Sequence, residues 1–340
     1  MVTEMRLEVL APNRIDLAGG TTDLYPVYLF MDGGFTVNAA ISVKSTSVFK
    51  TLESPEIRID SVDLGISATA GLEEIWNTEG PLGLVFKALK AFPPGGGLEI
   101  STFNEAPAGS GLGASSALLI TLLLGLKRLR DQDWSDDQII NYAADVETSL
   151  IGVPAGKQDH IAALSGGISF IKFDCAGFHR TQCQMPEQAR EALEKIIILS
   201  YTGEGRFSGM NNWDITRNVI EKNQSVKSRL IKIRDVATKM AEAVDLGRWH
   251  EIGHLVDEEW KLRRELSPGV STPVIESIMS AAKGSGAIAS KICGAGGGGC
   301  MITIANPENR SRVEKAISDA GGKIMPFGIA QTGAKLTITE

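Results

Sequence analysis

Pro107-Ala-Gly-Ser-Gly-Leu-Gly-Ala-Ser-Ser116 runs straight into Ala117-Leu-Leu-Ile-Thr-Leu-Leu-Leu-Gly-Leu-Lys-Arg-Leu-Arg130, and the junction between them decides the fold. The first half is too rich in glycine to be a regular element. The second is apolar, helical in pattern, and ends in Lys127, Arg128 and Arg130, cations that suit a helix C-terminus. Glycines let successive backbone N–H groups converge, and the helix N-terminus adds partial positive charge, so the junction forms an anion site. Ser115 and Ser116 put two hydroxyls in the first turn, within reach of a phosphate or a metal. The bland alternative is a glycine turn capping a core helix. A Walker A loop is excluded, because Gly156-Lys157 and Gly322-Lys323 are not followed by Ser or Thr. The spacing in Gly109-Ser-Gly-Leu-Gly-Ala114 also fails the dinucleotide fingerprint.

Upstream of the loop, the pattern predicts strands at 6–10, within 35–49, as a pair over 56–68 and at 98–103, with a short helix at 82–92. Residues 18–34 read as a loop. Downstream, Ser135-Asp-Asp-Gln138 is a capping box opening a helix to about 150; a short helix follows the Gly/Pro loop, then a strand at 167–173. The stretch 175–193 looks irregular and is taken as the boundary between domains 1–192 and 193–340. Beyond it come a strand at 196–201, helices within 208–245 and at 248–265 and 272–283, and a strand at 287–293. A glycine run, a strand at 300–304, a helix at 307–320 and two short strands close the chain. Both halves mix helices and strands, an α+β pattern.

The chain has 340 residues, and its net charge of −7 and lack of a basic stripe argue against a nucleic-acid partner. The longest apolar run, 117–126, is half of what a membrane span needs, and the N-terminus lacks the apolar stretch of a signal peptide. Cys175, Cys183, Cys293 and Cys300 match no zinc spacing or disulfide framework, so reduced thiols in a cytoplasmic protein are expected. His250 and His254 lack an HExxH context, which makes a surface or core role the expectation. The sequence is silent on oligomeric state.

Val146-Glu-Thr-Ser-Leu-Ile-Gly-Val-Pro-Ala-Gly-Lys-Gln-Asp159 supplies two carboxylates separated by a Gly/Pro loop. Asp159 opens a new helix, whose dipole favours an ionised carboxylate there. An Asp so placed can accept a hydroxyl proton or orient a nucleophile. The residues alone favour the plain reading, a helix-start carboxylate and a solvent-facing Glu147. Arg14 is a permanent cation within a polar stretch of the first strand region. Lys157 would lower the pKa of Asp159 or bind phosphate, unless it is a solvated loop lysine.

Three stretches resemble the motifs of the GHMP kinase superfamily, and they occur in family order. They are Ala11-Pro-Asn-Arg-Ile-Asp-Leu-Ala-Gly-Gly-Thr-Thr-Asp23, the loop at 107–116, and Lys291-Ile-Cys-Gly-Ala-Gly-Gly-Gly-Gly-Cys300. The family pattern has serine where Ala114 stands. The resemblance implies an N-terminal domain like ribosomal protein S5 domain 2 and a C-terminal ferredoxin-like domain. It also implies an enzyme that moves the γ-phosphate of ATP to an alcohol with the help of Mg2+. Carried over by position, Pro107, Gly109, Ser110, Gly111, Leu112, Gly113, Ala114, Ser115 and Ser116 hold the ATP phosphates, and Ser115 and Glu147 the metal. Asp159, Arg14 and Lys157 are the expected catalytic set. Asp16, Gly19, Gly20, Thr22, Asp23, Arg206, Gly296 and Gly297 are expected on the substrate side, and the glycine run is also expected to hold the phosphate loop.

The opening motif, with Ala-Gly-Gly-Thr-Thr-Asp at 18–23, is closer to the heptose-phosphate and fucose kinase branch than to the galactokinases. The branch implies D-glycero-D-manno-heptose 7-phosphate as acceptor, phosphorylated at the anomeric O1. Fucose, galactose, a uronic acid and mevalonate remain as other acceptors, and a non-catalytic ATP and sugar sensor as another class. A sugar phosphate needs additional cations, for which Arg206, Lys157, Lys261, Arg263 and Arg264 are the candidates; the last three also read as the polar face of a helix.

Overall fold

The computed structural model describes residues 5–71, 80–205 and 209–339. Its first half comprises β1 (Arg6–Ala18), β2 (Gly34–Leu52), β3 (Glu56–Ser61), β4 (Ile66–Gly71), α1 (Gly83–Ala91), β5 (Gly97–Asn104), α2 (Ala114–Leu129), α3 (Asp136–Ile151), α4 (Gln158–Ser165), β6 (Ile168–Asp174) and β7 (Gly177–Gln182). The chain continues with α5 (Glu187–Ile196), β8 (Ile197–Tyr201), α6 (Gly209–Ile220), α7 (Gln224–Asp245), α8 (Trp249–Arg263), α9 (Pro273–Gly284), β9 (Ala287–Ile292), β10 (Cys300–Ala305), α10 (Arg310–Asp319), β11 (Lys323–Ile324) and β12 (Lys335–Thr339). The expected α+β architecture is present.

The first sheet runs β12-β1-β2-β5-β3-β4, with β6 and β7 continuing from the other half of β2. The 19 residues of β2 make this possible: 45–52 pair with β5 and 34–39 with β6. The apolar run that reads as a helix becomes α2, packed between β1 and β2 on one side and α1, α3 and α4 on the other. Ala117, Leu119, Ile120, Leu122, Leu123 and Leu126 are fully buried in it. Truncating one of these leucines costs about 2–5 kcal/mol by the usual cavity arithmetic. The Ser135 capping box is formed as read.

The second sheet runs β11-β8-β10-β9, all antiparallel. Strand alternation gives it two apolar faces. Ile197 and Leu199 join a core with α7, α8 and residues of β1 and β2, whereas Ile198 and Met301 face α9 and α10. The halves therefore share one core, which fixes the walls of the cleft between them.

Three expectations need correcting. β1 does not stop at residue 10: it continues to Ala18 through a register shift between Pro12 and Asn13. Apolar alternation hides this, because Asn13, Arg14 and Asp16 are buried polar residues. The stretch 175–193 is not irregular, since β7 forms a hairpin with β6 and α5 starts at Glu187. Residues 335–339, placed by the sequence in the second domain, add a strand beside β1 in the first sheet. Among the described residues no helix is long and apolar enough to cross a membrane.

Candidate active site

Gly109, Gly111 and Gly113 all adopt left-handed backbone angles, with φ of 69°, 70° and 73°. Gly113 caps α2, and a Cβ there would sit 3.0 Å from the Asp159 carboxylate. The loop is held from both halves of the molecule: Arg14 N–H donates to Leu112 O at 2.9 Å and Cys300 N–H to Ser110 O at 2.6 Å. Leu112 and Ser110 are buried, while Ser115 is exposed at the helix start. Residues 109–113 thus form a left-handed glycine loop with α2 opening behind it.

The extension of β1 carries Arg14 beneath this loop. Its Nη1 donates to Gly111 O at 2.5 Å, and its Nε donates to Asp159 Oδ1 at 2.7 Å with Nη2 2.6 Å away. Among the described residues no hydrogen bond is made to Asp159 Oδ2. Asp159 is the second residue of α4, with its side chain 21% exposed against 4% for Arg14. Burial, and then the nearby Glu147, push the Asp159 carboxyl above its ordinary range, although Arg14 opposes the shift.

Glu147, near the end of α3, faces the first turn of α2. Ser115 Oγ donates to its Oε1 at 2.7 Å and Ser116 Oγ to its Oε2 at 2.8 Å. His160 Nε2 lies 3.1 Å from Oε2, in a fully buried ring whose nitrogens make no well-aligned hydrogen bond among the described residues. Burial pushes the Glu147 carboxyl up, but His160 and the two serine hydroxyls together hold it below the ordinary value. One anionic carboxylate and two hydroxyls at a phosphate loop fit a hard divalent ion, which takes one or two protein oxygens and completes its shell from substrate phosphates and water.

Asp23 follows a tight turn in which Thr22 Oγ1 donates to Gly19 O at 2.7 Å and to Phe35 O at 2.9 Å. Asp23 Oδ2 accepts from Gln158 N–H at 3.2 Å. Gly156 leaves room for it: a Cβ there would fall 1.9 Å from that oxygen. Burial, then repulsion from Asp159, raises the Asp23 carboxyl from 3.8 to about 6.

Arg14, Asp23, Ser115, Ser116, Glu147 and Asp159 line one cleft of about 290 Å³, together with Thr21, Leu24, Gln158, Asn212, Gly294 and Ala295. Several residues expected on the substrate side stand elsewhere. Asp16, Gly19, Gly20 and Thr22 are buried behind the cleft wall. Gly296 and Gly297 are buried against Val270, where Gly297 N–H donates to Val270 O at 2.8 Å. The glycine run packs against the loop at 109–113, since a Cβ at Gly299 would meet Ser110 O at 2.6 Å. Lys157 does not line the cleft: its Nζ donates to Asn141 at 2.6 Å and lies over the Phe178 ring. Arg206 lies outside the described residues. Lys261 pairs with Asp257 at 2.5 Å and Arg264 with Glu276 at 3.1 Å, both in surface positions. Arg263 is not on a polar helix face but buried with Asp16, Glu259 and Lys291. The sequence did not single out Glu259, His160 or Asn212. Only His160, adjacent to Asp159, carried a positional hint.

Two family models match the chain, GHMP kinases N terminal domain over residues 83–167 and GHMP kinases C terminal over 240–323. The chain belongs to the GHMP kinase superfamily, and so to the phosphotransferases. It is 26% identical over 340 residues to a D-glycero-alpha-D-manno-heptose 7-phosphate kinase of Campylobacter jejuni, covering 95% of this chain and 96% of that one. A mevalonate kinase of Thermococcus onnurineus is also 26% identical, with 98% of each chain covered. The crystal structure of a D-glycero-D-manno-heptose 1-phosphate kinase from Bacteroides thetaiotaomicron superposes with a TM-score of 0.79 at 24% identity, over 97% of this chain and 98% of that one. The heptose-phosphate kinase relatives support a sugar kinase as the activity class.

Proposed function

We propose that the cleft transfers the γ-phosphate of ATP to the anomeric O1 of a sugar phosphate, D-glycero-D-manno-heptose 7-phosphate being the preferred acceptor. The observation that carries the reading is the convergence of the Arg14–Asp159 pair and the Glu147–Ser115–Ser116 cluster on the mouth of the glycine loop. The N–H groups at the start of α2 bind the phosphates, as helix N-termini do. Glu147 and Ser115 would hold Mg2+, which would neutralise phosphate charge when bound. Asp159 Oδ2 orients the acceptor hydroxyl. As the new O–P bond forms and the bond to the β-phosphate oxygen breaks, the hydroxyl proton passes to that carboxylate and ADP leaves. Arg14 keeps Asp159 in place and adds positive charge where negative charge develops. Asp23 accepts hydrogen bonds from sugar hydroxyls. Free thiols and dependence on ATP suit a cytoplasmic setting.

The resemblance to a mevalonate kinase favours a carboxylate-bearing acceptor as the second reading. ADP release with Mg2+ and ATP, measured against heptose 7-phosphate, fucose, galactose, galacturonate and mevalonate, separates the two. Turnover of the heptose phosphate at least about tenfold above the rest is the expected result, a discrimination of about 1.4 kcal/mol. Preference for mevalonate overturns it.

A further inference from the structure

Arg263, Lys291, Asp16 and Glu259 form a neutral group of four charges, each at most 1% exposed, behind the wall of the cleft. Arg263 Nη2 lies 2.6 Å from Glu259 Oε1 and 3.5 Å from Asp16 Oδ2, and Lys291 Nζ lies 3.0 Å from Glu259 Oε2 and 3.3 Å from Asp16 Oδ2. A buried quartet of this kind is often no more stabilising than apolar side chains of equal volume. Its geometry has a further consequence. The same guanidinium donates from Nη2 to Gly20 O at 2.7 Å, and from Nη1 to Thr21 Oγ1 at 3.1 Å and to Gly294 O at 3.4 Å. Thr21 and Gly294 both line the cleft, one from the turn after β1 and the other from the turn after β9. Thr21 also holds a left-handed backbone, φ 75°, which a β-branched residue adopts only where its surroundings impose it.

We propose that Arg263 is a positioning residue that clasps the acceptor-side turn, 19–23, to the glycine turn at 294–295, so that Asp23 and the phosphate loop keep a fixed spacing. A planar fork can meet acceptors on two loops at once; an ammonium on a flexible stem can replace its charge but not that spread of directions. Arg263→Lys therefore preserves the neutrality of the quartet and removes the clasp. Thr21→Val removes only the hydroxyl contact, and Thr21→Ser restores it.

The test is hydrogen–deuterium exchange on the full ligand-free chain, which does not depend on the kinase reading. In Arg263→Lys, peptides covering 17–24 and 292–299 exchange at least about tenfold faster, while those of β3 and β4 do not change. Thr21→Val accelerates both segments to a smaller extent, and Thr21→Ser matches the wild type. Unaltered exchange, acceleration of one turn alone, or uniform acceleration of the whole chain overturns the clasp. The kinetic arm rests on the proposed kinase function: in Arg263→Lys the acceptor KM rises at least about fivefold while the ATP KM stays within about twofold. An equal rise in both overturns the positioning role. A wild-type chain inactive on every acceptor counts against the kinase reading, and the exchange result still decides the clasp.

Discussion

Arg14 and Asp16 stand two residues apart on β1, yet they head two charge clusters with opposite character. Arg14 grips a carboxylate whose side chain is 21% exposed and whose second oxygen has no hydrogen bond among the described residues. Asp16 sits with Arg263, Lys291 and Glu259 in a group whose side chains are at most 1% exposed. Burial pushes the Asp16 carboxyl up, but Lys291, Arg263 and Arg14 pull it below its ordinary range, whereas Asp159 is left above its own. The same residue types thus yield an unsaturated pair at the cleft and a closed scaffold two residues further on. Access separates the two, because only the first presents a solvent-reachable carboxylate oxygen to the cleft, as the proposed chemistry requires.

The comparison is broken most forcefully at Arg14. Arg14→Met removes a permanent cation from the transferring phosphoryl group and frees Asp159, so kcat falls about a thousandfold or more, in the range seen for arginines that stabilise phosphoryl transfer. Steady-state ADP release reads this, and a loss below about tenfold would place Arg14 with the scaffold. Lys291→Met should do the reverse. Removing one partner of the buried quartet strands a carboxylate in a dry core and costs about 3–5 kcal/mol, measured as a shift in the urea midpoint. A stability loss under about 1 kcal/mol would mean that the quartet is wetter than its burial indicates.

Asp23 gives a smaller effect with a defined sign. Its carboxyl is raised from 3.8 to about 6, so between those values the folded chain binds a proton that the unfolded chain does not. That contribution to stability is full below about pH 4 and is lost as pH rises through about 6, about 3 kcal/mol in all. Asp23→Asn should abolish this segment of the pH–stability curve. In the wild type the acceptor KM should climb as pH falls below about 6, where Asp23 stops accepting hydrogen bonds. A curve of the same slope in both proteins would assign the titration to another group.

The glycine loop and the helix behind it were legible because their signals are local: glycines, hydroxyls and a helix start follow one another between 107 and 130. Glu147 and Asp159 were legible as carboxylates flanking a loop, and the family resemblance tipped them toward catalytic positions. What stayed hidden depends on partners far along the chain. Arg14 meets Asp159 across 145 residues, and Arg263 meets Gly20 across 243. Arg263 therefore read as one more cation on a helix, spaced i,i+4 from Glu259, when that pair is the core of the quartet. Lys157 misled for a related reason: proximity in sequence to Asp159 suggested shared work, but its ammonium turns to Asn141 and the Phe178 ring. The second half of β1 was missed because its inward residues are polar and face other inward polar groups, as when Asn13 Nδ2 donates to Ser45 Oγ at 3.2 Å.

The most direct test of the account is ADP release by Asp159→Ala beside the wild type, with Mg2+, ATP and the acceptor that the panel selects, after circular dichroism has shown that both are folded. The account predicts a kcat at least about a hundredfold lower in the variant, with ATP binding retained, because Asp159 handles the acceptor hydroxyl while the loop and Glu147 hold the nucleotide. A variant that turns over within about threefold of the wild type would contradict it, and the chemistry would have to be sought outside the Arg14–Asp159 pair.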